Sequence, residues 1–460
     1  MSEVKVNKIS PRTACGTVTM GDSGDTIALG CGASQTGFGR TGTVDWVTTP
    51  QTGTVTAASG KGYFVNTTSG GITVNLPAGA AGSIVSIADY LGTWATNNVT
   101  VSADGSEKIA GNTDDAVLKV NGQSVTLVYV DGTQGWLTTA DSTENIQAIK
   151  YVTATVSGAC NTLTTVCTNY KVATFTGPGT FCVSCAGNPQ GSYQVDYLVV
   201  AGGGSGGSGA GAGGGAGGYR ESPGAVSGCY TVSPLGVAPA AAIAVTVQGY
   251  PIAVGGGGAS VTGAPGSGAI GNNGVASSFD TIPSAGGGAG GGSTSGTVPN
   301  VSADGGDGGS GGGGDFCTPG VGGTAPGGAG DTPNVTPDQG FPGGDGRHLG
   351  PSYSFTGGGG GALAAGQGDT GTPVVGGYGG VGGGGATSSI NGTPTARAAG
   401  GGGEGTPGAA GSGGGGSGNP GCRPANMGTA NTGGGGGGSQ GCASSGAGGP
   451  GVVIIRYKFQ

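Results

Sequence analysis

Glycine supplies 119 of the 460 residues, and its distribution is sharply uneven. Residues 1–192 hold 26 glycines and residues 193–460 hold 93, about one in three. A stretch of that kind does not build helices, because glycine costs up to about 1 kcal/mol per helical position relative to alanine. Charged residues are 8% of the chain, against about 25% in an average soluble protein. Low charge argues against ordinary charged disorder. No amphipathic helical stretch is readable. The composition points to strand, turn and extended glycine backbone.

Four readings compete for residues 193–460. The region opens on Val195-Asp-Tyr-Leu-Val-Val200, a strand, followed by Gly204-Ser-Gly-Gly-Ser-Gly209. That hexamer matches G-x-G-x-x-G, but a dinucleotide site needs a helix start at once to hold the pyrophosphate. Here the hexamer leads only into more glycine, and chance matches are expected in such a composition. Collagen needs glycine strictly every third residue, and tracts such as 357–361 and 433–438 are continuous glycine. A flexible linker has no use for Tyr219, Phe279, Phe316, Phe341, Tyr353, Phe355 and Tyr378, which punctuate the tracts. The preferred reading is packed polyglycine II, an extended helix of three residues per turn and about 3.1 Å rise. Its backbone groups all point outward, so only a bundle of neighbours can satisfy them. The connecting segments then fall at the two ends of the bundle. The closing Val452-Val-Ile-Ile-Arg-Tyr457 is expected to pair with Val195–Val200.

The rest of the chain reads as all-β. Residues 1–45 are a short β segment that leans on a partner. Residues 46–140 carry alternating runs such as Ile72-Thr-Val74-Asn-Leu76, and the turn signals Asn121-Gly122 and Asp131-Gly132 predict hairpins. Strands at about ten-residue spacing suggest a small β-sandwich. Residues 141–192 form a Thr- and Cys-rich β connector, either a small domain or the first strands of the next.

Several functions are disfavoured. Lys and Arg total 15 against 23 Asp and Glu, so no basic patch suits nucleic acid. No long apolar run suggests a membrane span. The N-terminus, MSEVKVNKISPRT, has no apolar core of a secretory signal. Cys182-Val-Ser-Cys185, with Cys160 and Cys167, could hold zinc, but a second C-x-x-C is missing and the single histidine, His348, is remote in sequence. Free thiols or a local disulfide are the simpler expectation for the ten cysteines. No metal or cofactor is expected.

The stretches VDYLVVAGGG…GAGGYRE and GAGGPGVVIIRYKF, with Ala276-Ser-Ser-Phe279 before Ala285-Gly-Gly-Gly, resemble the glycine-rich domain of bacteriophage tail-fibre and appendage proteins. Residues 62–139 are similar to small β-sandwich modules of phage fibres, which often trimerise. SEVKVNKISPRT resembles the starts of virion proteins of marine phages. The resemblance implies a virion fibre protein and a homo-oligomer, with a trimer as the expected state. Its N-terminal part, with Val4, Val6 and Ile9, would attach to other virion proteins. Its glycine-rich domain (193–460) would touch a host-surface saccharide or outer-membrane protein through end loops. A capsid-associated head fibre or decoration protein, and an extracellular glycine-rich matrix protein, are the alternatives.

The longest gap between tracts, residues 315–356, holds the richest side chains. Phe341, Asp345, Arg347, His348, Tyr353 and Phe355, joined by Tyr378 in the next tract, combine rings with directional polar groups, which suits sugar recognition. The plainer reading is a small cluster that clamps loops to the lattice. Asp331, Asp338 and Asp345 lie close in sequence, but Gly-Asp pairs are ordinary turn residues, and no nucleophile elbow surrounds His348. An enzyme is therefore not expected.

Overall fold

The computed structural model describes residues 44–141, 149–188, 191–228, 230–263, 268–292, 304–316, 323–350, 353–368, 378–406, 408–441 and 443–460. Val4, Val6, Ile9, Cys15 and Cys31 lie outside them, as do Cys229, Cys317 and Cys442. The described residues are all-β, without a helix. The chain divides into two compact units, 1–148 and 149–460.

The first unit is a sandwich wound in an unusual order. One sheet takes Asp45–Gln51, Lys61–Val65, Ile84–Asp89, Ser124–Asp131 and Gly135–Asp141 in spatial order. The other takes Val55–Thr56, Ile72–Asn75, Val99–Ser102 and Ala116–Leu118. The chain alternates between sheets, so the first three strands of each pair in parallel. Alternate residues face inward, and Val65, Val74, Val85, Ile87, Val101, Leu127, Trp94 and Trp136 form a sealed core. Asp131-Gly132 makes the expected hairpin, where Asp131 accepts the Thr133 and Gln134 amides at 2.8 Å each. Asn121-Gly122 does not. Gly122 has φ +76°, as a turn requires, but Ala116–Leu118 and Ser124–Asp131 belong to different sheets. The turn carries the chain across the sandwich, because the inward faces of both strands must meet the same core.

In the second unit, Gln194–Val200 and Val452–Lys458 pair antiparallel, Val200 opposite Val452 and Asp196 opposite Arg456. Around them lie Thr162–Val166, Tyr170–Phe175, Tyr219–Glu221 and Ile243–Ala244. A second sheet joins Val152–Val156, Gly179–Ala186, Gly249–Ala253, Ser277–Phe279 and Ile282–Ser284. Phe175, Phe181, Tyr197, Phe279 and Tyr457 fill the space between the two. Strands from residues 152–186 are thus built into the sheets of the glycine-rich unit. Cys182 and Cys185 sit on one of these strands as free thiols, Cys182 exposed.

The glycine region is a lattice of rods joined sideways by main-chain hydrogen bonds. The tract 202–218 is two rods, reversed at Gly209 and Ala210, both at positive φ. Ala201, Gly204 and Gly207 donate to Gly218, Gly215 and Ala212 at 3.1, 2.8 and 3.0 Å. The step of three residues is the polyglycine II period. The rod 211–218 is enclosed on every side. Its N–H groups go in threes: Gly211, Gly214 and Gly217 to Ser439, Gly436 and Gly433; Ala212, Gly215 and Gly218 to Gly291, Gly288 and Ala285; Gly213 and Ala216 to Gly357 and Gly360. Its carbonyls accept from the rods at 201–207, 310–313 and 401–404. Six neighbours surround one rod, a hexagonal packing in which buried amides and carbonyls meet their partners.

The rods alternate in direction, so the unit has two ends. The sheet end carries the strands above and the hairpin Ala386–Ser388/Thr395–Arg397. At the distal end lie the 208–211 turn and the rod ends at 262, 292, 315, 368, 404, 418 and 439. The gap 315–356 is not one loop. It contains rods at 326–330 and 341–345, since Gly328 donates to Gly312, Gly311 to Phe341 and Gly314 to Gly344.

Buried polar groups hold the sheet-end connections against the sheet. Asp196 accepts from the Ser222 hydroxyl at 2.8 Å, the Ser227 amide at 2.9 Å and the Ser227 hydroxyl. Arg456, 1% exposed, donates to the carbonyls of Ser227 and Ile390 and lies between the rings of Tyr170 and Tyr230, about 5 Å from each. Glu221 gathers the Tyr219 hydroxyl, the Ser233 amide and the Ser388 hydroxyl. A buried charge tolerates this only when it is hydrogen-bonded all round.

A Cβ on Gly214 would lie 2.2 Å from the Gly204 carbonyl oxygen, whereas one on Gly256 would meet nothing within 4 Å. Gly214→Ala should lower stability by about 3 kcal/mol or abolish folding of the unit. Gly256→Ala should be neutral or stabilise by up to about 1 kcal/mol. Thermal unfolding of the two variants checks this, and equal effects would exclude the close-packed lattice.

Candidate functional site

A small sheet caps the distal end, built from Thr324–Ala325, Gly346–Gly350, Tyr353–Thr356 and Tyr378–Gly379. It forms because rods emerging side by side keep their neighbours for a few residues after glycine gives out. Rod 341–345 runs into Gly346–Gly350, and Tyr353–Thr356 runs into rod 357–361. A Cβ on Gly346 would sit 2.4 Å from the Gly314 carbonyl oxygen, so this strand begins while still pressed on the lattice.

The register brings three of the candidate residues into one cross-strand row. Thr324 lies opposite Arg347, Arg347 opposite Phe355, and Phe355 beside Tyr378. Residues in register on neighbouring strands share a face. Phe355 is buried at the centre of the row, with the Tyr378 ring stacked on it at 6.0 Å and 13°. Arg347 and Tyr378 flank it, partly exposed, and Thr324 is exposed at the margin. Alternate strands in such a row are about 10 Å apart, with Phe355 between Arg347 and Tyr378 as the floor of the row.

His348 points to the other face, where its ring meets Phe316 edge-on at 6.1 Å. Asp345 is exposed and accepts the Gly327 amide at 2.9 Å, tying rod 341–345 to its neighbour. Tyr353 opens the third strand of the cap; its side chain lies outside the described atoms. Phe341 is elsewhere. Its amide donates to Gly361, and the next residue, Ala362, donates to Ala398 beside the sheet-end hairpin. Phe341 thus belongs to the sheet end, a rod's length of at least about 12 Å from Asp345. Asp331 is at that end too, where its carboxylate accepts from Asn334 and from the amides of Val335 and Gln339. The acidic residues near in sequence do not converge.

Glu404 is the distal residue that sequence reasoning missed. It lies 7% exposed at the end of rod 398–404, and its carbonyl accepts the Thr356 hydroxyl at 2.6 Å. A Cβ on Gly379 would lie 2.7 Å from the same carbonyl oxygen, so Glu404 packs against the Tyr378–Gly379 strand. Burial pushes its carboxyl up to about 7. The available signal was a lone charge between glycines, Gly403-Glu404-Gly405, at the end of a tract. Among the described residues, no group of three or more His, Cys, Asp or Glu is placed to hold a metal.

Two comparisons bear on these features. The family described as glycine-rich domain matches residues 176–458. The chain is also 35% identical over 79 residues to baseplate wedge protein gp10 of Enterobacteria phage T4. That similarity covers 16% of this chain and 13% of that protein.

Because the folded carboxyl of Glu404 titrates above its unfolded value, its neutral form favours folding fully below about pH 4. That contribution is lost as pH rises through about 7. Glu404→Gln should therefore stabilise the glycine unit by about 2–3 kcal/mol at pH 8 and change little at pH 4. Denaturant midpoints at the two pH values read this out; a difference independent of pH would contradict it.

Proposed function

The chain belongs to the glycine-rich domain family, whose match covers residues 176–458, and from that premise we propose that it is a structural fibre protein of a bacteriophage particle. In this reading it has no enzymatic activity and needs no cofactor. Its N-terminal part, with Val4, Val6 and Ile9, attaches to other virion proteins, and the sandwich assembles as a trimer. The distal end of the glycine unit binds a saccharide or an outer-membrane protein on the host surface. Similarity to a baseplate protein supports the tail over the capsid as its place.

The observation that carries the proposal is the two-ended build of the glycine unit. The chain enters that unit through Val152–Val156, in the sheets at one end. The cap with Arg347, Phe355 and Tyr378 lies at the other. Between them stand rods with no freedom to slide or bend independently. Such a body holds diverse loops at a fixed distance from an attachment point, which is what a display element requires. Arg347 supplies a forked donor and Tyr378 a ring face and a hydroxyl, the pair of contacts a pyranose offers to complement. Asp345 borders that surface, and His348 lies on the other face of the cap. Phe341, at the sheet end, takes no part in it.

Removing residues 315–356 would not test this, because it would excise two rods. Particles carrying Arg347→Ala or Tyr378→Ala should assemble normally and adsorb to host cells at least about tenfold more slowly, the loss expected for a contact worth ~1.4 kcal/mol. Normal adsorption by both would rule out the distal cap as the receptor surface.

A further inference from the structure

The lattice has an edge problem like that of a β-sheet. Inner rods such as 211–218 have neighbours on all sides, whereas outer rods face solvent with part of their backbone unpaired. On the rod 269–275, the N–H groups of Gly271, Gly274 and Val275 bond to Gly290, Gly287 and Gly256. Those of Ile270 and Asn273, three residues apart, make no hydrogen bond among the described residues, and neither do their carbonyls. An exposed row of that kind is a template for another chain.

The side chains on this rod are distributed in one way. Gly271 and Gly274 face inward, where a Cβ would lie 2.4 and 2.0 Å from the carbonyl oxygens of Ser205 and Gly202. The outward positions carry Ile270 (42% exposed) and Val275 (59% exposed), while Asn272 donates its side-chain amide to the Ala259 carbonyl and Asn273 accepts the Ala289 amide, each reaching to a neighbouring rod. The outer rod 425–429 repeats the arrangement, with Gly428 inward and Met427, 71% exposed, outward. Exposed Ile, Val and Met leave apolar surface in water. Their use becomes clear from what they exclude. A neighbouring rod approaches closely only where the facing residues are glycine or small, as at Ala212 and Ala216, so a branched side chain keeps it away.

We propose that the outward side chains of the outer rods are guards that confine the lattice to one molecule, and that without them the flank 255–262/269–275 takes the same flank of a second copy. A two-fold pair would set the rods antiparallel, and antiparallel rods already bond in register here, as 201–208 does with 269–275. Neither rod of this flank contains a charged residue, so nothing in it repels its own copy. Gly256 leaves open space beside the guards.

The test is sedimentation of the full chain carrying Ile270→Gly and Val275→Gly, compared with wild type over a hundredfold range of concentration. The expected result is a mass that rises with concentration to at least twice the wild-type value. Adding Gly256→Val, which restores a guard on the same flank, should return it to the wild-type value. A mass equal to wild type throughout, or a rise that Gly256→Val leaves unchanged, overturns the proposal. Cooperative thermal unfolding establishes that each variant is folded. If the double variant loses it, the single variants give the same reading, with a smaller rise expected from each.

Discussion

An inner rod of this protein has almost no side chains, so its place is fixed by sideways N–H···O=C bonds. Each bond is worth little net of the water it replaces, about 1 kcal/mol, and ordering glycine is entropically unfavourable. The balance turns on number and simultaneity. The rod 211–218 exchanges bonds with six neighbours, and none of these can leave without orphaning buried amides. Close approach is the condition for it. Across the lattice an added Cβ would commonly fall about 2 Å from a carbonyl oxygen of the next rod, well inside contact distance. Glycine here is not a source of flexibility. It is the residue that allows backbone to pack against backbone.

The second unit therefore joins two kinds of interior. At the sheet end, Phe181, Tyr197, Phe279 and Tyr457 pack as an ordinary apolar core. In the lattice the interior is polar, and backbone amides meet the carbonyls of neighbouring rods. The junction falls where Val200 and Val452 give way to rods, and a few residues into the sheet Asp196, Glu221 and Arg456 are buried among hydroxyls, amides and tyrosine rings. Removing one partner there leaves a charge without company in a dry place, so the network specifies register more than it adds stability. Tyr457, whose hydroxyl is held up to about 12 by burial, marks how dry the region is.

Much of this was legible in the sequence, and the remainder was hidden for identifiable reasons. The framing strands were readable because Val195–Val200 and Val452–Tyr457 are apolar runs flanked by glycine, and they pair as expected. The inner rods were readable as tracts. The outer rods were not, because an outer rod needs glycine only on its inward face. Ala-Ile-Gly-Asn-Asn-Gly-Val at 269–275 carries it at every third position and reads as a loop. For the same reason the gap 315–356 looked like one excursion while hiding two rods, and Phe341 was grouped with residues at the opposite end. The row of Arg347, Phe355 and Tyr378 was named residue by residue, but its alignment depends on rods delivering strands side by side. In the sandwich, Asn121-Gly122 fixed a turn, not which strands it would join.

The three-residue period has a consequence for how such a protein can change. Inserting or deleting one residue within a rod turns everything beyond it by about 120°. An inward glycine is then replaced by whatever faced outward, and every sideways bond loses its partner. Three residues restore the phase. Rods should thus lengthen or shorten by whole turns, whereas the connections at the distal end carry no phase and can take any length. A chain built this way keeps a reading frame in its protein, separate from the one in its gene, and only the connections between rods are free of it.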